Sequence, residues 1–445
     1  MVDQPESITV IGGGLAGLSA VTGLVNRGYE GELTLLERSP FLGGRASTLA
    51  YGEHCLDIGQ HMHVSGFKFY LDFLKNIGLE DEIRTQQRLE AEFRDGSGLR
   101  GKVEGSELPP PFHLARSMIK FPFISFGDKI SLAGPLLSAL LFDYGEEDER
   151  ISFGDWLRRR GATKRSIERL WNQIVVPTLN ARVQEVSVPM GMMILKRVLL
   201  DRSGGKLGRL DCHLSEIGTK TVELLEKHGG TVELSSPAVR IEPDDGSKVV
   251  VELKDGERIE SEVVLSSVPG HKLVELLPDS ALDRFSQPFW NLEWNSIINV
   301  HLFFSEPVME REFFGFLEGT AGWVFNVDWN EPTSGRHVCL TLSDPGELED
   351  LTGEELVDLV KRELSEPLPK IKETSLTDSV VLRQPRATFK PLPGSSDRRP
   401  PQDPGIPGLF LAGDWTDTGW PATMEGAVRS GYYAADEILG SNNQG

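Results

Sequence analysis

The chain has 445 residues, of which 39% are hydrophobic and 25% charged, the balance of a globular protein larger than one ordinary domain. Its formal net charge of −21 repels phosphate and argues against a nucleic-acid partner. Three widely spaced cysteines (Cys55, Cys212 and Cys339) predict reduced thiols in a cytoplasmic protein, without a disulfide framework or a metal site.

Two features argue against export and membrane insertion. The apolar run that begins at Ile8 passes directly into glycines and lacks the pattern of a signal peptide. The longest apolar stretch, 130–142, is shorter than the roughly 20 residues that span a bilayer. We therefore predict no transmembrane helix.

The first elements form a βαβ unit. The pattern predicts a strand at 7–12, a helix at 14–28 and a second strand at 32–37. Between about 109 and 205 it is helical and contains no nucleotide motif.

Strands return after a helix that begins near 213. They are predicted at 231–236, 238–243, 248–256, 262–269, 296–305, 322–327, 337–342 and 409–414, with helices at 353–366 and 422–439 and a Pro- and charge-rich loop at 390–407. The predicted class is α/β: a Rossmann-like nucleotide-binding domain divided along the chain, and a second substrate domain of mixed sheet and helices. The divided domain comprises 1–105, 206–275 and 396–445, and the substrate domain comprises the helical, membrane-facing part 106–205 and the sheet and helices of 276–395.

A glycine turn joins the first strand to the first helix. Gly12, Gly14 and Gly17 form G-x-G-x-x-G, in which the first glycine makes the turn, the second admits a pyrophosphate and the third allows close packing. Glu37 ends the next strand 37 − 17 = 20 residues later, where a carboxylate can accept hydrogen bonds from ribose hydroxyls. This combination predicts dinucleotide binding.

Further motifs extend the pattern to both ends of the chain. An arginine follows the glycine pair in LGGRA (42–46), DIGQH occupies 57–61, and AGD (412–414) precedes EGAVRSG (425–431). With GGGLAGLSA at 12–20, these segments resemble the flavin-containing amine oxidase and phytoene desaturase superfamily. The resemblance implies FAD, bound non-covalently because no cysteine lies near AGD.

The resemblance also implies which residues hold FAD. Pyrophosphate and adenosine contacts fall on Gly12, Gly14, Leu15, Ala16, Gly17, Glu37, Arg38, Gly44 and Arg45, and the backbone of Val239 is expected to meet the adenine. Gly59, Gln60 and His61 are expected beside the isoalloxazine ring, Gly413 and Asp414 at the ribityl and pyrophosphate groups, and Thr423 and Met424 at a helix start facing flavin N1 and O2. We interpret Glu425 as a first-turn acid and Arg429 as a solvated helix residue.

Within the superfamily, segments 57–81, 170–181, 296–304 and 413–431 resemble the squalene-associated FAD-dependent desaturases, whose characterised activity is hydroxysqualene dehydroxylation in squalene and hopanoid biosynthesis. This implies reductive removal of a hydroxyl from a long isoprenoid, with a hydride from reduced FAD. His61 is the candidate general acid, with a role in lining the flavin site as the alternative.

Three other functions stay open at this point. One is a phytoene- or carotenoid-type desaturase, in which the hydride moves in the opposite direction. A second is a flavin amine oxidase with Trp415 and Trp420 as an aromatic cage, and a third is a non-catalytic FAD-bound scaffold. The chain has one G-x-G-x-x-G arrangement, so we predict no separate nicotinamide site, and the electron donor is open between another protein and a transient NAD(P)H contact.

A hydrophobic isoprenoid requires an apolar tunnel. Its candidate lining is Phe112, Phe121, Phe123, Phe126, Leu136, Leu140, Phe303 and Trp323, with ordinary core packing as the alternative for each. Segment 109–142 carries His113, Arg116, Lys120 and Lys129 among apolar residues. It is consistent either with burial between helices or with peripheral docking on the inner face of a membrane.

Overall fold

The computed structural model describes residues 4–141, 145, 147–201, 205–243, 248–317, 320, 322–329 and 331–440, with the backbone alone at 198 and 199. The predicted α/β class is confirmed. One region is built around a parallel sheet and the other around a larger, mainly antiparallel sheet.

A five-stranded parallel sheet brings together segments from both ends of the chain. Its strands, in spatial order, are Thr231–Glu233, Glu32–Leu36, Ser7–Ile11, Val263–Ser266 and Leu409–Leu411. One face of the sheet, with Ile8, Val10 and Leu35, is covered by helices Leu15–Asn26, Ser215–Lys227 and Met424–Ile438. Because the strands are parallel, the glycine turn and the C-terminal AGD segment follow strand ends at the same edge of the sheet, with strand Val263–Ser266 between them.

A small antiparallel sheet accompanies the parallel one. Its strands are Ala238–Pro243, Val249–Leu253 and Arg258–Ser261, and the helices Gly270–Leu276 and Asp279–Leu282 follow in the chain. Buried residues of both sheets form one cluster, so the small sheet extends the core of the nucleotide-binding region.

The second region contains a seven-stranded sheet. Its spatial order is Leu376–Phe389, Trp294–Phe304, His337–Ser343, Trp323–Asn326, Phe313–Phe316, Glu90–Arg94 and Arg100–Glu104. The last two strands fall inside 1–105, the segment assigned from sequence to the nucleotide-binding domain. They join the substrate sheet because Phe93 pairs with Gly315, a partner much later in the chain that no local pattern identifies.

Short strands connect the two regions. Thr48–Tyr51 and His54–Asp57 form a hairpin, and His63–Val64, Leu207–Leu210 and Ile83–Thr85 form a three-stranded sheet. The strands Thr48–Tyr51, Ile83–Thr85 and Leu207–Leu210 were not predicted. They are three or four residues long, too short for a clear period-two pattern.

Helices make up most of the remainder. The α-helices are Lys68–Asn76, Ala115–Lys120, Phe126–Ser131, Ala133–Leu141, Phe153–Arg159, Lys164–Ser166, Asn172–Leu179, Val188–Ile194 and Gly353–Leu364, with π-helical turns at Ile167–Trp171 and Leu195–Leu199. The 3₁₀ turns are Glu80–Glu82, Phe112–Leu114, Asp148–Arg150, Phe289–Asn291, Gly346–Asp350, Pro369–Lys372 and Ser396–Arg398. Across the described ranges, none of the helices combines the length and apolar character needed to cross a bilayer.

Candidate active site

A cavity of about 2100 Å³ lies between the two regions and reaches both nucleotide motifs. Ligand pockets for small molecules usually measure about 300–1,000 Å³, so this one has room for a dinucleotide and a second large molecule. Of the residues expected to contact FAD, Gly12, Gly14, Leu15, Ala16, Glu37, Arg38, Gly44, Arg45, Gly59, Gln60, His61, Gly413, Asp414, Thr423 and Met424 line it.

The glycine turn has the geometry that a pyrophosphate requires. Gly12 adopts φ +105°, a conformation that favours glycine. A Cβ added at Gly14 would meet nothing within 4 Å, whereas one at Gly17 would lie 1.9 Å from the carbonyl oxygen of Gly12. Gly14 therefore leaves open space at the start of helix Leu15–Asn26, and Gly17 is needed for packing and does not line the cavity.

Glu37 is fixed at the cavity edge by backbone donors. Its Oε2 accepts a hydrogen bond from the Gly13 N–H at 2.7 Å, and its Oε1 accepts one from the Ser39 N–H at 2.8 Å. Each carboxylate oxygen has a second lone pair, so Glu37 can still accept bonds from ribose hydroxyls.

Arg45 and Asp414 join the N-terminal and C-terminal motifs directly. The Arg45 guanidinium donates from Nη2 to Asp414 Oδ1 at 2.9 Å, and its Nη1 lies 2.8 Å from Asp414 Oδ2. Burial is the largest single influence and opposes the charge of Arg45, but the charge of Asp414 and the hydrogen bond to it together outweigh burial and raise the pKa of Arg45. The two motifs, 369 residues apart in sequence, form one site.

A buried arginine that the sequence did not single out holds the loop after Asp414. Arg399 is 2% exposed and donates to the backbone carbonyls of Asp414, at 3.2 Å, and of Thr416. Burial lowers the pKa of Arg399 to about 10. The sequence did not indicate this role, because Arg399 lies among other charged residues in the Pro-rich loop 390–407.

The segment 57–61 is anchored from the substrate sheet. Asn299, which is 1% exposed, donates from Nδ2 to the carbonyl of Ile58 at 3.0 Å. Gln60 Nε2 is buried without a hydrogen-bond partner among the described residues. Asn299 is a second residue that the sequence analysis missed. A signal was present in SIINVHLFF (296–304), because Asn299 and His301 are two residues apart and therefore lie on one face of the strand.

His61 and His63 have different surroundings. His61 Nε2 lies 3.1 Å from the Arg45 carbonyl, and burial lowers the pKa of His61, which favours a neutral ring that donates from Nε2. His63 is 1% exposed and pairs with Thr85 Oγ1 at 2.9 Å. The geometry of His61 favours a role in fixing the Arg45 loop.

Helix Met424–Ile438 begins beside the cavity. Thr423 caps it by accepting a hydrogen bond from the Gly426 N–H at 3.1 Å, and the helix N-terminus suits a partial negative charge.

The interpretation of Arg429 as a solvated residue is wrong: it pairs with Glu425 at 2.8 Å and stacks on Phe69 and Trp420. Glu425 is fully buried and also accepts from the Tyr70 N–H, so it joins two helices and is more than a first-turn acid.

Val239 is exposed, whereas Trp415 and Trp420 are buried. The Val239 side chain is 43% exposed and outside the cavity wall, where Ser236, Pro237 and Ala238 stand, so a contact between its backbone and adenine stays a prediction. Trp420 packs against Phe67, and Trp415 donates to the Val268 carbonyl at 3.0 Å. Both indole side chains are therefore held by contacts within the protein, which disfavours a cage of aromatic rings around a bound amine.

Only some of the residues proposed to line a tunnel stand in the wall of the cavity. Phe112, Leu136 and Trp323 line the cavity. Phe121, Phe123 and Phe303 are core residues, because their side chains pack in aromatic clusters instead. Phe126 and Leu140 are exposed, by 78% and 46%. The helical turns at Ile167–Trp171 and Asn172–Leu179 supply further wall, including Leu170, Trp171 and Ile174.

The residues of the cavity fit FAD. The open position at Gly14, the acceptor Glu37 and the Arg45–Asp414 pair suit its adenosine and pyrophosphate groups, and the N-terminus of Met424–Ile438 suits the flavin N1 and O2 region. No group of three or more potential metal ligands occurs in the described ranges. Cys55, Cys212 and Cys339 are free thiols in the structure.

Comparison with known proteins agrees with this geometry. The sequence profile of the family described as flavin containing amine oxidoreductase matches residues 15–439. A hydroxysqualene dehydroxylase of Sinorhizobium fredii is 29% identical over 99% of this chain and 100% of its own length. A 15-cis-phytoene desaturase of Solanum lycopersicum is 27% identical over 98% of this chain and 78% of its own.

The fold recurs in solved structures. Putrescine oxidase bound to putrescine superposes with a TM-score of 0.70 at 17% identity, covering 98% of this chain and 99% of the other. FAD is the cofactor of this site, and the protein is an oxidoreductase. The chain belongs to the flavin containing amine oxidoreductase family.

Proposed function

We propose that this protein removes the hydroxyl group of hydroxysqualene reductively and releases squalene. The observation that carries the proposal is the shape of the cavity, which extends from both nucleotide turns to apolar helices around Phe112 and Leu136. Full-length similarity to a hydroxysqualene dehydroxylase supports the same substrate class.

The residues of the chain position the cofactor and exclude water from the site of reaction. When bound, FAD supplies the hydride that replaces the hydroxyl. Arg45, Asp414 and Glu37 fix the nucleotide portion, and the apolar walls formed by Leu170, Trp171 and their neighbours keep water from the reacting carbon. The role of His61 as general acid stays a prediction, which its bond to the Arg45 carbonyl disfavours.

A desaturase is the second candidate, because a phytoene desaturase is similar over 98% of this chain. Such an enzyme takes hydride from its substrate and reduces the flavin. Amine oxidation is disfavoured by the packing of Trp415 and Trp420. A non-catalytic scaffold would bind FAD and the isoprenoid without turnover.

The direction of hydride transfer can be tested with purified, dithionite-reduced protein under anaerobic conditions. We expect hydroxysqualene to be consumed, squalene to appear by gas chromatography, and the yellow absorbance of oxidised flavin to return in equal amount. Oxidised protein given phytoene serves as the control for a desaturase. Bleaching with phytoene, or binding of hydroxysqualene without product, would reject the proposed reaction.

We also propose that the surface around segment 112–141 docks on a membrane from which the isoprenoid enters. Phe112, Ile119, Phe126, Ile130 and Leu141 are 60–78% exposed. The exposed Arg116 and Lys120 lie in the same segment of a chain with net charge −21, and this local excess of cations suits an anionic lipid surface. Phe112 also lines the cavity, so the surface is continuous with the entrance.

Docking predicts that the protein sediments with anionic phospholipid vesicles. Burying one large apolar side chain contributes about 1.5–3 kcal/mol, so the double variant Ile119→Ser and Phe126→Ser is expected to weaken vesicle binding by about 100-fold or more. Trp290→Ser is the matched control, because Trp290 is 45% exposed and lies outside this segment. Equal sedimentation of both variants and the wild type would reject the docking surface.

A further inference from the structure

Asn299 is a buried polar residue on an interior strand of the substrate sheet. It lies in strand Trp294–Phe304, is 1% exposed and contributes to the cavity wall. The next residue, Val300, points to the opposite face of the sheet and belongs to the apolar cluster there. Burying an amide costs free energy unless its donor and acceptor atoms are hydrogen-bonded, so the partners of Asn299 indicate what its side chain does.

Both ends of the Asn299 amide have partners, and these partners determine its orientation. Nδ2 donates to the Ile58 carbonyl oxygen at 3.0 Å, and a carbonyl oxygen only accepts, so the amino group must face Ile58. Oδ1 accepts from the Thr341 hydroxyl at 2.7 Å, and Cys339 Sγ lies 4.0 Å from the same oxygen. Burial raises the pKa of the Cys339 thiol, which therefore keeps its proton and is a weak second donor.

The Ile58 peptide is held from both regions of the protein. Its N–H donates to the Ser47 carbonyl at 2.8 Å, in the loop that carries Arg45, and its carbonyl accepts from Asn299 of the substrate sheet. Gly59 follows directly and lines the cavity, in the segment expected beside the flavin ring. The substrate sheet therefore fixes the start of this segment through Asn299.

Thr341 holds Asn299 from the neighbouring strand. The two residues lie opposite each other where Trp294–Phe304 pairs with His337–Ser343, and both line the cavity. Without the Thr341 hydroxyl, Oδ1 of Asn299 would keep only the distant thiol as a donor. The amide would then be free to turn, and its amino group would leave the Ile58 carbonyl. Thr341 thus acts on the flavin site through Asn299.

We propose that Asn299, oriented by Thr341, is a positioning residue that sets the place of Gly59 against the flavin ring. The inference rests on the proposed dehydroxylation, in which a hydride of reduced FAD replaces the hydroxyl group. Hydride transfer needs close approach, and a misplacement of about 1 Å can lower a rate about 100-fold. A contact that fixes the backbone beside the ring therefore acts on the rate of the reaction and leaves the binding of the isoprenoid unchanged.

The visible circular dichroism of bound flavin tests this role without turnover, because the signal depends on the groups fixed beside the ring. We expect Asn299→Leu and Thr341→Val to change this spectrum, whereas Thr341→Ser keeps the hydroxyl and the spectrum of the wild type. The FAD dissociation constant should stay within about threefold of the wild type, because the adenosine and pyrophosphate contacts are untouched.

The squalene assay gives a second measurement. We expect kcat to fall about 100-fold for Asn299→Leu and about 10-fold for Thr341→Val, with KM for hydroxysqualene within about twofold of the wild type. Loss of kcat at constant KM is the result expected from misplaced reacting groups, because the apolar walls that bind the isoprenoid are unchanged.

Ser343→Ala is the matched control. Ser343 lies two residues further along the same strand and on the same face as Thr341, but it pairs with Ile297. Removal of its hydroxyl should leave the flavin spectrum unchanged.

Flavin spectra of Asn299→Leu and Thr341→Val that are identical to that of the wild type would overturn the positioning role. A Thr341→Ser spectrum like that of Thr341→Val would do the same, because the hydroxyl would then not be the group that matters. If Asn299→Leu fails to fold, the two Thr341 variants decide. Failure of the proposed dehydroxylation is a separate result: the wild type would make no squalene, and the flavin spectra would still decide the positioning role.

Discussion

The substitution Gly14→Val is expected to give a folded protein that binds no FAD. Gly14 has ordinary extended backbone angles, φ −78° and ψ 177°, and an added Cβ meets no atom within 4 Å. The new side chain therefore costs the protein fold little, but it occupies the space through which the pyrophosphate approaches the helix N-terminus. Purified protein should be colourless at FAD concentrations that saturate the wild type, with an unchanged circular dichroism spectrum.

Gly17→Val is the control for Gly14→Val, because it is expected to damage the fold itself, whereas Gly14→Val is expected only to exclude FAD. Its Cβ would lie 1.9 Å from the Gly12 carbonyl oxygen, so the strand and helix cannot both keep their places. We expect insoluble or poorly folded protein from this variant. A yellow Gly14→Val protein with wild-type affinity for FAD would contradict the assignment of the glycine turn.

The second large effect is expected at the ion pair between the two motifs. Arg45→Met removes a cation and leaves the carboxylate of Asp414, whose side chain is 6% exposed, unpaired beside the FAD site. Loss of one partner of a buried charge pair costs about 2–5 kcal/mol, and the lower value applies because the Arg45 side chain is 36% exposed. We expect the FAD dissociation constant, measured by fluorescence titration, to rise by about 30-fold.

The double variant Arg45→Met with Asp414→Asn provides the control. It removes the unpaired carboxylate, so it should bind FAD more tightly than Arg45→Met alone. Equal affinities for the two variants would show that Arg45 acts on the cofactor without regard to Asp414, against the pairing in the structure.

Sequence patterns predicted the nucleotide-binding region well because its signals are local. The strand, glycine turn and helix at 7–28 lie in one short segment, and Glu37 follows at the expected spacing. Strand Leu376–Phe389 has a weaker pattern, because its 14 residues are mostly half-buried and carry Asp378, Arg383 and Gln384 among the apolar positions. Its place is set by pairing with Trp294–Phe304, a tertiary contact.

The role of a site residue could be predicted from the sequence only where the residue belongs to a recognisable motif. Arg45 and Asp414 stand in motifs, so their role could be inferred although their pairing could not. Arg399 and Asn299 act through backbone carbonyls of Asp414 and Ile58, and such contacts leave no spacing signal. Phe121 and Phe303 are as apolar as true lining residues, since a core and a tunnel wall draw on the same side chains.

The order of strands in the parallel sheet has a consequence for biogenesis. Strand Ser7–Ile11 leaves the ribosome early, but its sheet stays incomplete until Leu409–Leu411 has been synthesised. The long sequence separation makes this closure a late event, and until then an apolar strand edge is exposed to aggregation or chaperones. Cofactor capture must therefore wait until Asp414 has been synthesised, and nascent chains halted before Asp414 should be colourless.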